Sequence, residues 1–254
     1  MDTLRYIPPI EAAGPRQMAI DEAIFRCYDK GATPPTLRFF RFLPSAITVG
    51  YAQDIDSVIN TDKCRELEIP FVRRITGGGT VYHDYDGEVT YSIVTDVIQG
   101  AIEDSFHTLL KPLISTLIDH GLDASFKPYN DILVGGRKIS GSAQRRARRG
   151  MLQHGTLMYG TDLITLSDIL LLDMDKLRAR GANSFMDLVT TMEDELGYDI
   201  DAKELIYDLR ESYKNEFGLD MVTGELTEEE IEMADQLEEK YSSQAWTYNR
   251  KWKP

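Results

Sequence analysis

The chain has 254 residues, with 42 Asp and Glu against 28 Lys and Arg for a net charge of −14, and 42% of it is hydrophobic. That length and apolar content bury a sizeable core and exclude a disordered chain. Only two cysteines, Cys27 and Cys64, an amino terminus without an apolar h-region, and no run near the roughly 18 apolar residues of a membrane span together predict a reducing, cytoplasmic protein.

The charge is unevenly spread: residues 1–160 hold 18 basic and 19 acidic residues, whereas residues 161–254 hold 10 and 23. Such a chain lacks the broad Lys/Arg face that neutralising nucleic-acid phosphates requires, so a nucleic-acid partner is not expected.

Gln17–Tyr28 places Met18, Ala19, Ala23, Ile24 and Cys27 on one face of a helix, with Asp21, Glu22 and Arg26 expected on the other. GATPP (31–35) ends it. TLRFFRF and SAITVGY, split by Leu43-Pro44, read as a pair of strands, and Ile55–Leu67 as a second helix carrying Cys64. PFVRRI, TVYHD and EVTYSIVT read as further strands, with Gly77-Gly78-Gly79 between the first two. Ser105–His120 carries a helical apolar stripe stopped by Gly121. DILV, RKISGSAQ and MLQHGTLMYG then form what reads as a second sheet region. From Leu163 onward the pattern turns helical through ITLSDILLL, KLRAR, Lys203–Phe217 and Thr227–Tyr241, the last opening with a capping box at Thr227. Strands early and helices late, with no repeat or flexible linker, predict one α+β domain.

The first segment with chemical content runs from Arg73 to Asp84, RRITGGGTVYHD. Its three glycines let backbone N–H groups approach a ligand, and the two arginines offset anionic charge. It has neither the Lys-Ser/Thr of a phosphate-binding P-loop nor the GxGxxG spacing, and a glycine-rich hairpin is the bland alternative. The second is YNDI followed by GGRKISGSAQ. In an extended strand Lys138 and Ser140 face one way, so Lys138 can be aimed into a cleft to hold a phosphate or polarise a carboxylate, although most lysines are solvated surface residues. Asn130 and Asp131 offer an amide and a carboxylate, the latter a possible contact for a Mg²⁺ carried by nucleotide phosphates; an Asx turn is the plain reading. Arg145, Arg146, Arg148 and Arg149, with Arg137 and Lys138, put six cations into thirteen positions. They read either as an anion site, for a nucleotide triphosphate or an acidic protein surface, or as a solvated hairpin loop.

His83, His107, His120 and His154 lack metal-ligand spacing, and neither cysteine has a CxxC partner, so no zinc site is expected. ISGSA lacks the second glycine of a GxSxG elbow, which removes the serine-hydrolase reading.

Taken in order and at their separations, RRITGGGTVYHD, YNDILVGGRKISGSAQ and QHGTLMYG resemble the lipoate-protein ligase A family, and the likeness extends from the QMAIDEAI helix to KYSSQAWTYNRKW. The resemblance implies a mixed, largely antiparallel sheet flanked by helices, like the catalytic domains of class II aminoacyl-tRNA synthetases and biotin ligases. It implies a single catalytic domain over 1–254, without the carboxy-terminal accessory domain of larger members, and hence a separate small subunit or a transfer-only role. The implied reaction activates lipoate with ATP and Mg²⁺ to lipoyl-AMP, then passes the lipoyl group to a lysine of an acceptor lipoyl domain, in 2-oxoacid dehydrogenase E2 subunits or the glycine cleavage H protein. Lys138 takes the catalytic position; Arg74, Thr76, Gly77, Gly78, Gly79 and His83, with Asn130, Asp131, Ala143 and Thr156, surround lipoyl-AMP. Arg73 and His154 are secondary candidates. GANSFMDLVTTM, near residue 181, departs from the family pattern and contributes no candidate.

The main rival, an octanoyltransferase drawing on acyl carrier protein, needs a nucleophilic cysteine in the cleft. None lies between Gly121 and Gly155, where related transferases place it. A biotin ligase lacks support because its GRGRxxR-type loop is missing, and a non-catalytic acyl-binding module is the remaining alternative.

Overall fold

The computed structural model describes residues 3–171, 178 and 181–252. Apart from Arg178, the KLRAR helix expected at 176–180 lies outside the described residues. β1 (Thr3–Ala12) leads through α1 (Gly14–Lys30) to β2 (Thr36–Phe42), which runs parallel to it. The β1–β2 register shifts between Ile7 and Ile10, where Pro8-Pro9 have no N–H to offer a ladder. Gly31, at φ 84°, closes α1 in the left-handed conformation and donates to the last-turn carbonyls.

The expected pairing of the next two strands does not form. The break at Leu43-Pro44 sends β3 (Ala46–Val49) into a separate three-stranded sheet, between β4 (Phe71–Arg73) and β5 (Val81–His83). The helix expected over Ile55–Leu67 is two short ones, α2 (Ile55–Val58) and α3 (Thr61–Glu66). They are divided where Ile59 bridges Leu170 and Asn60 turns its side chain back to cap Lys63 N.

β2 instead lies beside β6 (Glu88–Asp96) in an eight-stranded sheet. Beyond β6 come β10 (Gly150–Met158), β9 (Arg137–Arg146), β8 (Asp131–Val134) and β7 (Ala124–Lys127), all antiparallel. The "second sheet region" is therefore the continuation of the first. β11 (Asp220–Thr223), which hydrophobic patterning did not announce, adds to the far side of β1 in parallel. The sheet is mixed and largely antiparallel, as the family likeness implies.

Period-two alternation divides the core. Leu37 and Phe39 of β2 pack with α4 (Ile102–Asp119) and with Leu205, Leu209 and Tyr213 of a later helix (Ala202–Phe217). Phe40 and Phe42 face α1 and the carboxy-terminal helix Glu228–Ser242. α1 is thus covered on two sides, and Asp21 and Glu22, expected on its solvent face, are buried. They are tolerated there because each has a buried cation: Arg38 lies 2.7 Å from Asp21 and Lys240 2.6 Å from Glu22. Besides α1 to α4 and Glu228–Ser242, the described helices are Leu163–Ile169, the 3₁₀ turn Phe185–Asp187, Met192–Leu196, the 16-residue Ala202–Phe217 and, after Ser242, Gln244–Asn249, with Arg178 also helical. No helix among the described residues is long and apolar enough to cross a membrane.

The capping box at Thr227 forms as expected, with Glu230 returning to Thr227 N at 2.8 Å. The same carboxylate accepts from Arg5 at 2.5 and 2.8 Å and so ties the last long helix to β1. Glu230→Ala strands the buried Arg5 guanidinium and is expected to cost about 3–5 kcal/mol of unfolding free energy. Urea denaturation checks this; a loss below about 1 kcal/mol would show that the Arg5 charge finds water instead.

Candidate active site

β4 turns Arg73 and Arg74 to opposite sides. Arg73 faces away from any cavity: Nε donates to Thr247 O at 2.7 Å, and Nη1 donates to the carbonyls of Gly50, Tyr51 and Gln53. Its own carbonyl accepts from Trp246 Nε1 at 2.8 Å, so Arg73 anchors the carboxy-terminal segment.

Arg74 turns inward, and all five of its N–H donors end on oxygen. Nε donates to Thr76 Oγ1 (3.0 Å), Nη1 to Thr48 O and Oγ1 (3.2 and 3.1 Å), and Nη2 to the carbonyls of Gly77 and Gly79 (2.6 Å each). Among the described residues no carboxylate pairs with it. Burial pulls its pKa down to about 10, which leaves it charged at neutral pH. A positive charge therefore sits beneath the glycine loop with only dipoles around it. Gly78 takes φ 87°, and a Cβ at Gly50 would lie 2.1 Å from Gly78 O, so glycine is needed at both contacts. A Cβ at Gly77 or Gly79 would meet no protein atom within 4 Å; the bare backbone there faces open space.

The loop closes one side of a cavity of about 80 Å³. Arg74, Gly78, Gly79 and His83 border it from the small sheet's side. Asn130, Lys138, Ala143, His154 and Thr156 border it from the large sheet. Gly77 borders an adjoining cavity, and Thr76 stands behind His154. The structure thus gathers most of the residues that the sequence motifs nominate; Arg73 is left outside, Thr76 reaches the cavity only through His154, and Asp131 only through Lys138. Sequence reading missed Met18, Thr48, Thr90, Gly141 and Ser142 as further lining residues. Met18 gave only the signal of an ordinary apolar helix face.

His154 Nδ1 lies 2.8 Å from Asp21 Oδ2, and its Nε2 lies 2.7 Å from Thr76 Oγ1. Burial opposes the Asp21 charge, but Arg38 and His154 outweigh it and hold the carboxyl below its usual range. Burial pushes the His154 pKa down, against the pull of Asp21, so the ring is neutral. Because an ionised Asp21 can only accept, Nδ1 carries the ring proton, and Thr76 O–H must donate to Nε2 while Thr76 Oγ1 accepts from Arg74. A chain of hydrogen bonds then runs from Arg38 and Asp21 on the helix side to Arg74 under the loop. His83 sits in a parallel arrangement, with Nε2 3.0 Å from Thr48 Oγ1 and Nδ1 3.1 Å from Glu88 Oε2. Burial, aided by Arg74, drives His83 well below its usual pKa, and burial drives Glu88 well above, so this is a pair of neutral groups.

Lys138 Nζ lies 2.7 Å from Asp131 Oδ1. Its position departs from simple alternation. The β8–β9 register pairs Ile132 with Ser140 but Leu133 with Lys138, making Ile139 an extra, bulged residue. Lys138 therefore shares a face with Gly141 rather than with Ser140, which is buried elsewhere. A Cβ at Gly141 would come within 2.5 Å of Lys138 Nζ, so the ammonium lies across bare backbone. The segment that departs from the family pattern also contributes here: Lys138 N donates to Leu188 O, and Thr190 N to Lys138 O, at 2.8 and 2.9 Å. Asn130 Nδ2 donates to Ser142 O at 2.5 Å and fixes the strand entrance.

Both cysteines are buried in helices, as expected, and neither borders the cavity. Burial, with Glu229 and Glu230, pushes the Cys27 thiol up to about 11, and burial raises Cys64. Among the described residues no group of three or more His, Cys, Asp or Glu is arranged to hold a metal ion.

Asp21→Asn tests the hydrogen-bond chain. The Arg38 donors at 2.9 and 2.7 Å keep the amide oxygen, leaving the NH₂ toward His154 and forcing Nδ1 to accept. Imidazole ¹⁵N shifts are expected to move His154 to the Nε2–H tautomer; a retained Nδ1–H signal would show that Asp21 does not set it.

The lipoyl protein ligase A/B catalytic domain family matches residues 14–214. The octanoyltransferase LipM of Clostridioides difficile is 31% identical, over 99% of this chain and 100% of that protein. The bi-partite lipoate protein ligase of Thermoplasma acidophilum, studied with its E2 lipoyl domain, superposes with a TM-score of 0.87 at 28% identity, covering 100% of this chain and 99% of that one. A lipoate-protein ligase A bound with ATP superposes at 0.83 with 27% identity, covering 97% and 98%. With the glycine loop, the lysine strand and the histidine strand converging on one cavity, the chain belongs to the lipoyl protein ligase A/B catalytic family.

Proposed function

We propose that this chain is an ATP-dependent lipoate-protein ligase, a single catalytic domain that activates lipoate as lipoyl-AMP and passes it to a lysine of an acceptor lipoyl domain. The observation that carries this reading is the position of the two cysteines: both are buried in helices away from the cavity, with thiol pKa values raised. A transferase that holds the acyl group as a thioester needs a thiolate where the substrate lies. Relatives bearing the octanoyltransferase name argue for that other route, and the neighbours studied with ATP or a lipoyl domain argue for this one.

In the first step a lipoate carboxylate oxygen attacks the α-phosphorus of ATP, and the bond to the bridging oxygen breaks, releasing pyrophosphate. Lys138 leaves Asp131 to neutralise both anions as they meet, and the backbone at Gly77 and Gly79, over buried Arg74, receives the nucleotide. In the second step the acceptor amine attacks the acyl carbonyl and AMP departs with the electron pair of the broken C–O bond. Lys138 faces the oxyanion that forms. Asp131 is the carboxylate that would contact a Mg²⁺ carried by ATP, and the ion would supply charge neutralisation at the phosphates. The acceptors are E2 subunits and the glycine cleavage H protein; the likeness to a bi-partite lipoate protein ligase supports a separate small subunit that assists adenylation.

The test supplies lipoate or octanoate, MgATP, a lipoyl domain and, in one arm, the accessory subunit, and reads acceptor mass. One lipoyl group is added only with ATP. Lys138→Ala abolishes the gain, while Cys27→Ser with Cys64→Ser preserves it. Modification from an acyl-carrier thioester without nucleotide, lost in the cysteine variant, would establish the octanoyltransferase instead; ligand binding without any turnover would establish a binding module.

Gly141→Ala, which displaces the Lys138 head from Asp131, is expected to lower the adenylation rate at least about tenfold with the fold unchanged. A rate within twofold of wild type would show that the position of the ammonium is not critical.

A further inference from the structure

Behind the glycine loop lies the turn Gly50–Gln53, between β3 and α2. It closes on itself twice: Gln53 N donates to Gly50 O at 3.1 Å, and Gly50 N donates to the Gln53 side-chain oxygen Oε1 at 2.7 Å. Its carbonyls all meet cations. Arg73 Nη1 donates to those of Gly50, Tyr51 and Gln53, and Arg250 Nη1 lies 3.4 Å from that of Ala52.

The other side of the turn meets the glycine loop at three points. Tyr51 N donates to Thr76 O at 2.8 Å, a Cβ at Gly50 would come within 2.1 Å of Gly78 O, and Thr80 Oγ1 donates to Gln53 Oε1 at 3.2 Å. Arg74 holds the carbonyls of Gly77 and Gly79 at the same time. In a trans peptide the C=O and the N–H that follows it point opposite ways, so anchoring the carbonyls of Thr76, Gly77 and Gly79 turns the N–H groups of Gly77, Gly78 and Thr80 away from these anchors. Among the described residues those three N–H groups donate to no carbonyl, the condition of a backbone that receives an anion.

Gln53 ties the two segments together with one oxygen, which accepts from Gly50 at the start of the turn and from Thr80 at the end of the loop. Gly50 N–H can only donate, so the carboxamide must keep its oxygen on that side. Gln53 itself does not border the cavity, whereas Thr80 does.

We propose that Gln53 is a positioning residue: through Gly50 and Thr80 it holds the glycine loop in the shape that presents its N–H groups to the nucleotide. The proposal rests on the ATP-dependent reading above for the identity of the ligand, and it adds the side chain that keeps the loop preorganised. A loop that grips the nucleotide equally in the ground state and the transition state affects KM when it loosens, and leaves kcat nearly unchanged.

The experiment compares wild type with Gln53→Met, which keeps the length of the side chain without an acceptor, and Gln53→Glu, which returns an oxygen to both donors and places its charge beside Arg73. Adenylation is followed as pyrophosphate release from lipoate and MgATP, with the accessory subunit present. Gln53→Met is expected to raise the KM for ATP about tenfold with kcat within about threefold of wild type, and Gln53→Glu to return KM to within about threefold. In parallel, ¹⁵N relaxation of Gly77, Gly78 and Gly79 in the ligand-free chain reads the loop directly. Those amides are expected to gain motion in Gln53→Met and to lose it again in Gln53→Glu. An unchanged KM in Gln53→Met, a fall in kcat at constant KM, or a Gln53→Glu variant no better than Gln53→Met would each overturn the proposal. Loop amides that respond as expected in a chain that neither binds nor consumes ATP would uphold the brace and remove the ATP-dependent ligase reading.

Discussion

A buried guanidinium without a carboxylate partner governs the arrangement of this site. Arg74 spends its five donors on Thr76, Thr48 and two glycine carbonyls, so its charge is hydrogen-bonded but not neutralised. Burying such a charge is costly, and the surrounding fold must supply every dipole in the right place. The glycine loop is held in one shape because its carbonyls are among those dipoles. What remains of the field points toward the cavity, where it favours an anionic ligand.

The rest of the molecule maintains that arrangement through elements distant in sequence. α1 contributes Asp21, which orients His154 on β10, which in turn takes the Thr76 proton. Arg38 on β2 keeps Asp21 ionised. The carboxy-terminal segment holds the same β4 strand from behind through Arg73 and Trp246. Each connection is short and buried, where hydrogen bonds resist competition from water. The long helices and the core on both sheet faces serve to hold these contacts in place.

Much of the site was legible in sequence because its parts are local. Three glycines in a row, an arginine before them and a lysine between Gly135-Gly136 and Gly141 are each contained in a dozen residues, and their order along the chain points to one family. The cysteines were legible too, since both fall on helical apolar patterns. Less legible were charged residues inside amphipathic helices. Asp21 and Glu22 look solvent-facing from the spacing of α1, and only a second layer, the last long helix, turns that face into an interior. The β2–β3 hairpin failed for a related reason: strand propensity shows that two runs are extended, but not which sheet each joins.

By itself the sequence determined most of the helix and strand segments, though not β11 or the division of Ile55–Leu67, where the backbone is bare enough to receive a ligand, and which side chains have the right chemistry, because these depend on neighbours within a few residues. The tertiary structure alone decided that Arg73 serves the scaffold and Arg74 the site. It also set the bulge at Ile139 that lays Lys138 over Gly141. Those outcomes turn on partners tens to hundreds of residues away and on a register shift of one residue, neither of which leaves a trace in local periodicity.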